Sequence, residues 1–341
     1  MVRNLRLLMP IYLQACFLRN NPLDNFDKEG DQVPSLRGRL FKLLLQNRHL
    51  LRFQFKKEII DWSQYEAILS FRQQVEEGAG KFGKLPEGIE VSPVHIDSLY
   101  AEWILPAEAT KDIIILYFHG GGYVSGTCKS HRSITAKFVK GSQIGALLFE
   151  YRLAPEHPYP AALEDSLQAF RWLLDQGIKP SNIVFVGDSA GGGLCLATLL
   201  ALRDQGTSLP AAAVAYSPVT DFKCTGESHQ TKIKICLSPE GMAQALAKHY
   251  AGEEDPGLSY ISPLYGELQG LPPLLIYAGE DETLRDDSIR FAAKAKDEGV
   301  DITLRLGEGM FHCYPAMAPL FPEATEAMNE ICAFIKRHIA K

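Results

Sequence analysis

From residue 89 onward, short apolar runs alternate with longer stretches in which apolar residues recur every three or four positions. Strand-like and helix-like periodicity in alternation predicts an α/β domain on a mostly parallel sheet. Strands are expected at 89–96, 100–105, 113–118, 144–151, 182–187, 211–216, 273–278 and 302–306, the first two as a hairpin turning near Asp97-Ser98. Helices are expected near 131–140, 161–176, 190–204, 285–298 and 323–339. Asp286 and Asp287 would open the fourth helix, where negative charge suits the helix dipole.

Two stretches break the rhythm. Residues 1–82 carry helical patterns without a clear strand, and 222–258 is more chain than a simple crossover needs. Both are expected to form a helical cap over the strand ends of a domain running from 83 to 341, the place where α/β sheets put ligands.

Composition narrows the class. The chain has 341 residues, 46% hydrophobic and 22% charged, as in globular enzymes, and a net charge of −6 argues against non-specific nucleic-acid binding. Its 7 cysteines show no C-x-x-C spacing, so they read as reduced thiols of a cytoplasmic protein. Arg3 and Arg6 before the apolar run Leu7 to Leu18, and Leu13-Gln14-Ala15-Cys16, loosely resemble targeting or lipoprotein signals. Pro10, Gln14 and Arg19 fit such signals poorly, so the segment reads as part of the mature protein. No run approaches the roughly 20 apolar residues of a membrane span. Arg37, Arg39, Lys42, Arg48, Arg52, Lys56 and Lys57 are interspersed with leucines. The simpler reading is a cap helix with a solvated basic face; membrane-surface contact through it is the alternative.

The chemistry concentrates at three places. Gly187-Asp188-Ser189-Ala190-Gly191-Gly192 joins a strand to a helix through small residues, the pattern of a nucleophile elbow. A serine hydroxyl is a weak nucleophile and must project from a tight turn toward a base. His119-Gly120-Gly121-Gly122-Tyr123 follows a strand, and its glycines leave backbone N–H groups free to face a developing oxyanion. Neither a phosphate loop nor a dinucleotide fingerprint fits that spacing. Among 9 histidines, His312 follows the last strand, in the order serine, acid, histidine.

With these motifs the chain resembles the hormone-sensitive-lipase-like family of α/β-hydrolase esterases. Tyr151-Arg152-Leu153-Ala154-Pro155-Glu156, Tyr159-Pro160-Ala161-Ala162, Leu271-Pro272-Pro273-Leu274, the acidic Gly279 to Asp287 segment and Met310-Phe311-His312 complete the likeness over residues 85–341. It implies an α/β-hydrolase fold, with an eight-stranded mostly parallel sheet flanked by helices and a helical cap. Ser189 would be the nucleophile, His312 the base, and the N–H groups of Gly121, Gly122 and Ala190 the oxyanion hole. The family's acid-x-Leu-x-Asp register makes Glu282 the triad acid, while the family's usual aspartate keeps Asp281 as the alternative. His119 would brace the glycine loop, Asp188 would bond locally, and the remaining acids of the cluster would be solvated. Tyr123, Phe311 and Tyr314 are candidate substrate contacts or else ordinary core, and Cys313, which beside His312 could be a second nucleophile, reads better as a small buried apolar residue.

The function implied is hydrolysis of small, short-to-medium acyl esters, with no cofactor and no metal. An amidase or deacetylase using the same triad, a triglyceride lipase, and a receptor of this fold without activity remain alternatives. The resemblance also suggests a homodimer through the last strand's edge.

Overall fold

Eight strands form one sheet in the computed structural model, which describes residues 34–47, 60–82, 85–107 and 111–339. Strands β1 (Ile89–Ile96) and β2 (Leu99–Pro106) make the expected antiparallel hairpin, with Asp97 in the left-handed region (φ 51°) at its turn. Then come β3 (Ile114–Phe118), β4 (Gly145–Phe149), β5 (Ile183–Asp188), β6 (Ala212–Tyr216), β7 (Leu274–Gly279) and β8 (Ile302–Gly307). Their spatial order is β1-β2-β4-β3-β5-β6-β7-β8. The β2–β4 pair is antiparallel and the pairings from β4 through β8 are parallel. Each strand lies where its apolar run put it, with small displacements at the ends.

Every residue of β3 to β7 is buried. A strand covered on both faces sends alternate side chains into two cores. Leu116, Phe118 and Phe185 enter one, while Ile115, Tyr117, Val184 and Val186 enter the other. Truncating a ring such as Phe185 to alanine would cost about 3–5 kcal/mol.

Among the described residues the α-helices in chain order are α1 (Leu36–Gln46), α2 (Tyr65–Phe82), α3 (Cys128–Ser142), α4 (Ala161–Asp175), α5 (Ala190–Asp204), α6 (Ser228–Thr231), α7 (Met242–Ala251), α8 (Arg285–Asp297) and α9 (Pro322–Ile339). Helix α3 starts ahead of the expected 131–140. Thr127 and Ser130 exchange side-chain-to-backbone bonds in a capping box, and this fixes the first turn.

Described parts of the two irregular stretches lie against the site loops. Arg72 on α2 donates its Nε to the carbonyl of Val124 at 2.5 Å and pairs bidentately with Glu156. Ser35 caps α1 and its hydroxyl donates to Glu323 on α9 at 2.9 Å, while Gln46 donates to the Ile235 carbonyl at 2.8 Å. Helix α7 sets Leu246 against the glycine loop, where a Cβ on Gly122 would stand 2.5 Å from its Cδ1. Leu36, Leu40, Leu43 and Leu44 are exposed on α1. Arg48, Arg52, Lys56, Lys57 and the segment 1–20 lie outside the described residues. Among the described residues, no helix is long and apolar enough to cross a membrane.

Candidate active site

Ser189 stands between the end of β5 and the first residue of α5 with φ 53° and ψ −121°. Such a conformation is strained for a residue carrying a Cβ, and it marks the elbow the sequence predicted. Its N–H bonds the Tyr216 carbonyl at 2.9 Å and its carbonyl accepts from Val219 at 3.1 Å, so the neighbouring β6 loop holds the turn. Gly191 is required by close approach, since a Cβ there would lie 2.1 Å from the Phe118 carbonyl oxygen.

His312 brings its Nε2 to 3.0 Å from Ser189 Oγ, and its Nδ1 lies 2.6 Å from the Glu282 carboxylate. With Nδ1–H donating to Glu282, the Nε2 lone pair faces the serine hydroxyl, the tautomer a proton acceptor needs. Glu282 is wholly buried, and its second oxygen accepts from the Gly279 N–H at 2.7 Å and the Ser217 hydroxyl at 2.9 Å. Burial disfavours charge on the His312 ring, but the hydrogen bonds of Cys313 Sγ and of the Glu282 carboxylate favour the imidazolium and hold its pKa well above the ordinary histidine value.

Asp281 faces elsewhere. Its side chain pairs with Lys42 of α1 and, at 3.2 Å, with Lys232 of the 222–258 insertion. Its backbone N–H bonds the Met310 carbonyl at 2.9 Å. The structure thus brings Glu282, and not Asp281, to the imidazole. It also corrects two expectations: Asp281 is not a solvated loop charge, and Lys42 is not part of a solvated basic face. Asp287 stands in the first turn of α8, as expected. It is fully buried and accepts 2.9 Å bonds from the N–H groups of Thr220 and Asp221 and from His229. Burial opposes charge on His229, yet Asp287, helped by Cys224, carries its pKa up to about 10.

Across the site lies the glycine loop. Gly121 has φ 119°, and a Cβ there would fall 2.1 Å from the Ser125 carbonyl oxygen, so only glycine fits. Asp188 ties this loop to the elbow, accepting from the Gly120 N–H at 3.0 Å and the Tyr117 hydroxyl at 2.9 Å. Burial would raise its pKa, but His131 and the Tyr117 hydroxyl prevail and keep it below the usual carboxylate value. His119 stacks on Tyr151 with centroids 4.1 Å apart and turns Nδ1 to the Gly120 carbonyl at 2.9 Å. Burial, reinforced by His131, pushes its pKa down to about 3, so it is a neutral brace. Ala190 is the first residue of α5, where backbone N–H groups lack intrahelical acceptors.

Three aromatic candidates prove to be packed side chains. Tyr123 is buried and stacks on Tyr250 of α7, centroids 3.6 Å apart. Phe311 packs against Phe41 and Phe321, and Tyr314 against Tyr277, both in the second core. Cys313 departs from the expected burial. It is partly exposed, with Sγ 3.5 Å from His312 Nε2. The reason is its backbone: at φ 55°, with its N–H bound to Ser217 Oγ at 2.9 Å, it turns its side chain back to the ring. Ser217 (φ 51°) escaped the sequence reading, which offered no signal for it beyond its place at the end of β6. It joins Glu282 to the His312 loop through these two bonds.

A cavity of about 320 Å³, lined by His229, Gln230, Ser238, Glu240, Gln244 and Thr283 among others, opens between the insertion and the acid loop. Among the described residues, no group of three His, Cys, Asp or Glu side chains is arranged to hold a metal ion.

A serine after the fifth strand, with a histidine after the eighth and a carboxylate after the seventh, defines the class: an α/β-hydrolase. The profile of a family described as alpha/beta hydrolase fold matches residues 115–316. The chain belongs to this family, and within it to the branch of the bacterial hormone-sensitive-lipase esterases. It is 39% identical over 264 residues to an acetyl-hydrolase of Streptomyces hygroscopicus, covering 77% of this chain and 87% of that protein. An esterase of Acinetobacter venetianus is 36% identical over 249 residues, covering 72% of this chain and 82% of that one. Among solved structures, EstE5 soaked with p-nitrophenyl butyrate superposes with a TM-score of 0.81 at 39% identity, covering 90% of this chain and 100% of its own. An esterase from the bacterial hormone-sensitive lipase family gives a TM-score of 0.81 at 36% identity, covering 90% and 99%.

Proposed function

We propose that the chain is a serine carboxylic-ester hydrolase for small, short-to-medium acyl esters, working through an acyl-enzyme. The observation that carries this is the continuous hydrogen-bonded line Ser189 Oγ–His312 Nε2, His312 Nδ1–Glu282. In this reading Ser189 Oγ attacks the ester carbonyl while His312 Nε2 takes its proton. Negative charge gathers on the carbonyl oxygen and is met by the N–H groups of Gly121, Gly122 and Ala190; each such donor contributes about 10²–10³ in rate. The imidazolium, stabilised by Glu282, returns the proton to the leaving alcohol. Water then repeats the sequence on the acyl-serine, with His312 again as base. Leu246 of α7 stands against the glycine loop, and the similar protein named acetyl-hydrolase supports the choice of short acyl chains.

The described parts of the segments 1–82 and 222–258 act as the cap in this scheme. Arg72, Lys42 and Leu246 are their described points of attachment to the site loops. The natural partner is a small-molecule ester and the setting the cytoplasm, in keeping with the unpaired cysteines among the described residues. Pairing of two copies through β8 is the assembly we expect, and light scattering on a sizing column reads it.

A series of p-nitrophenyl esters of increasing acyl length, with p-nitroacetanilide beside them, tests the function. The expected result is hydrolysis peaking at short chains, a much slower anilide, and loss of at least about 10⁴-fold in kcat for Ser189→Ala. An anilide cleaved faster than the esters would reassign the chain as an amidase, and full activity of Ser189→Ala would remove the mechanism.

A further inference from the structure

The proposed mechanism uses one lone pair on His312 Nε2, yet two nucleophilic atoms stand beside it. Ser189 Oγ lies at 3.0 Å and Cys313 Sγ at 3.5 Å. The exposure pattern sets these residues apart. Ser189, His312 and Cys313 are each partly exposed, whereas their chain neighbours Asp188, Ala190, Phe311 and Tyr314 are buried. Cys128, Cys195, Cys236 and Cys332 are buried as well. Ser189 Oγ and Cys313 Sγ thus stand beside the same Nε2, on residues that are each partly exposed.

We propose that Cys313 is a covalent modification site for small soft electrophiles, thiosulfonates and peroxides, through which thiol oxidation switches the hydrolase off reversibly. The proposal rests on His312 being the base of the hydrolytic reaction. Burial raises the Cys313 pKa while His312 pulls it down, and the net shift is upward, so the resting group is a neutral S–H. The thiol therefore needs the same assistance as the serine: Nε2 accepts its proton as sulfur attacks. With methyl methanethiosulfonate, the Cys313 sulfur bonds to the sulfenyl sulfur, the S–S bond of the reagent breaks, and methanesulfinate leaves with its electron pair. The proton passes from the imidazolium to solvent. With hydrogen peroxide, sulfur attacks one oxygen and the O–O bond breaks; the departing hydroxide takes the proton as water, leaving a sulfenic acid. Either product places a new group beside Nε2, between the base and any ester on Ser189. A thiol reductant restores the S–H by exchange at sulfur.

The full chain is treated with methyl methanethiosulfonate. Hydrolysis of p-nitrophenyl acetate is then followed, and the modified cysteine is mapped by peptide mass spectrometry. We expect a loss of roughly tenfold or more, recovered by dithiothreitol, with the methylthio group on Cys313. Cys313→Ala, compared with its own untreated rate, should lose less than about twofold, and Cys224→Ala should respond as the parent chain does. Labelling of Cys313 in Ser189→Ala is measured separately. It needs no ester turnover, so it tests the site even if the hydrolase reading fails. Adducts confined to Cys224 or Cys16, a loss that persists in Cys313→Ala, or an adduct on Cys313 without loss of activity would each overturn the proposal.

Discussion

The buried centre and the described parts of segments 1–82 and 222–258 differ in how their charged side chains are held. Glu282, Asp188 and Ser217 are buried, and each is fixed by short bonds to backbone or to neighbouring side chains of the sheet loops. Part of the attachment of those segments is apolar, with Tyr250 stacked on Tyr123 and Phe41 packed on Phe311, and part runs through charges that remain partly in water. Lys42 and Lys232 meet at Asp281, and Arg72 reaches Glu156. Buried polar bonds are costly to leave unmade and admit one arrangement, whereas partly solvated ion pairs are weak and screened by salt. Salt therefore acts on the outer ion pairs and leaves the buried bonds of the centre in place. The adjacent residues Asp281 and Glu282 mark the border, one carboxylate turned to the cap and the next to the base.

That contrast can be broken most severely at Glu282. Glu282→Gln should lower kcat by about 10⁴-fold, because an amide can hold the wrong imidazole tautomer and cannot stabilise the imidazolium. Asp281→Asn should stay within about tenfold, since it loses contacts to the cap but none to His312. Steady-state kinetics on both variants decides, and the reverse ranking would exchange their roles.

The pH profile probes the same centre. His312 must be unprotonated to act as base, and its pKa is raised, so activity is lost as pH falls through a limb placed above the ordinary 6.5. Below that limb kcat/KM should drop about tenfold per pH unit. Glu282→Gln removes a group that favours the imidazolium, and its limb should move down. A parent limb at or below 6.5 would contradict this reading.

Ser217→Ala removes a bond to a buried carboxylate and the acceptor of the Cys313 N–H. The expected cost is about 1.5 kcal/mol, near tenfold in kcat with KM little changed. Replacement by threonine, which keeps the hydroxyl, should recover part of it. The smallest effect belongs to the cap. Lys42→Met should change KM by about two- to threefold and leave kcat near the parent value, and the parent chain should drift toward the variant as salt rises. A large fall in kcat would mean that the cap charges shape the catalytic centre itself.

Most of the frame was legible because its signals are local. Apolar runs located the strands, and small residues around Ser189 and Gly121 announced turns that a Cβ would block. Ser189, His312 and their order along the sheet followed from those runs. Glu282 was reached only by likeness to a family register, and the aromatic residues Phe311 and Tyr314 read equally well as pocket or core. Cys313 was misread, since its exposure depends on a left-handed backbone residue bonded to Ser217, 96 positions away.

By itself, then, the sequence determined the α/β frame, the elbow, the glycine loop and the base, because periodicity and turn chemistry act over a few residues. Only the tertiary structure decided which of two adjacent carboxylates meets His312, where Lys42 finds its partner, and that Cys313 Sγ stands beside the base together with Ser189. Those outcomes depend on contacts between distant segments, and the direction a side chain takes in a loop is set by what the rest of the chain packs against it.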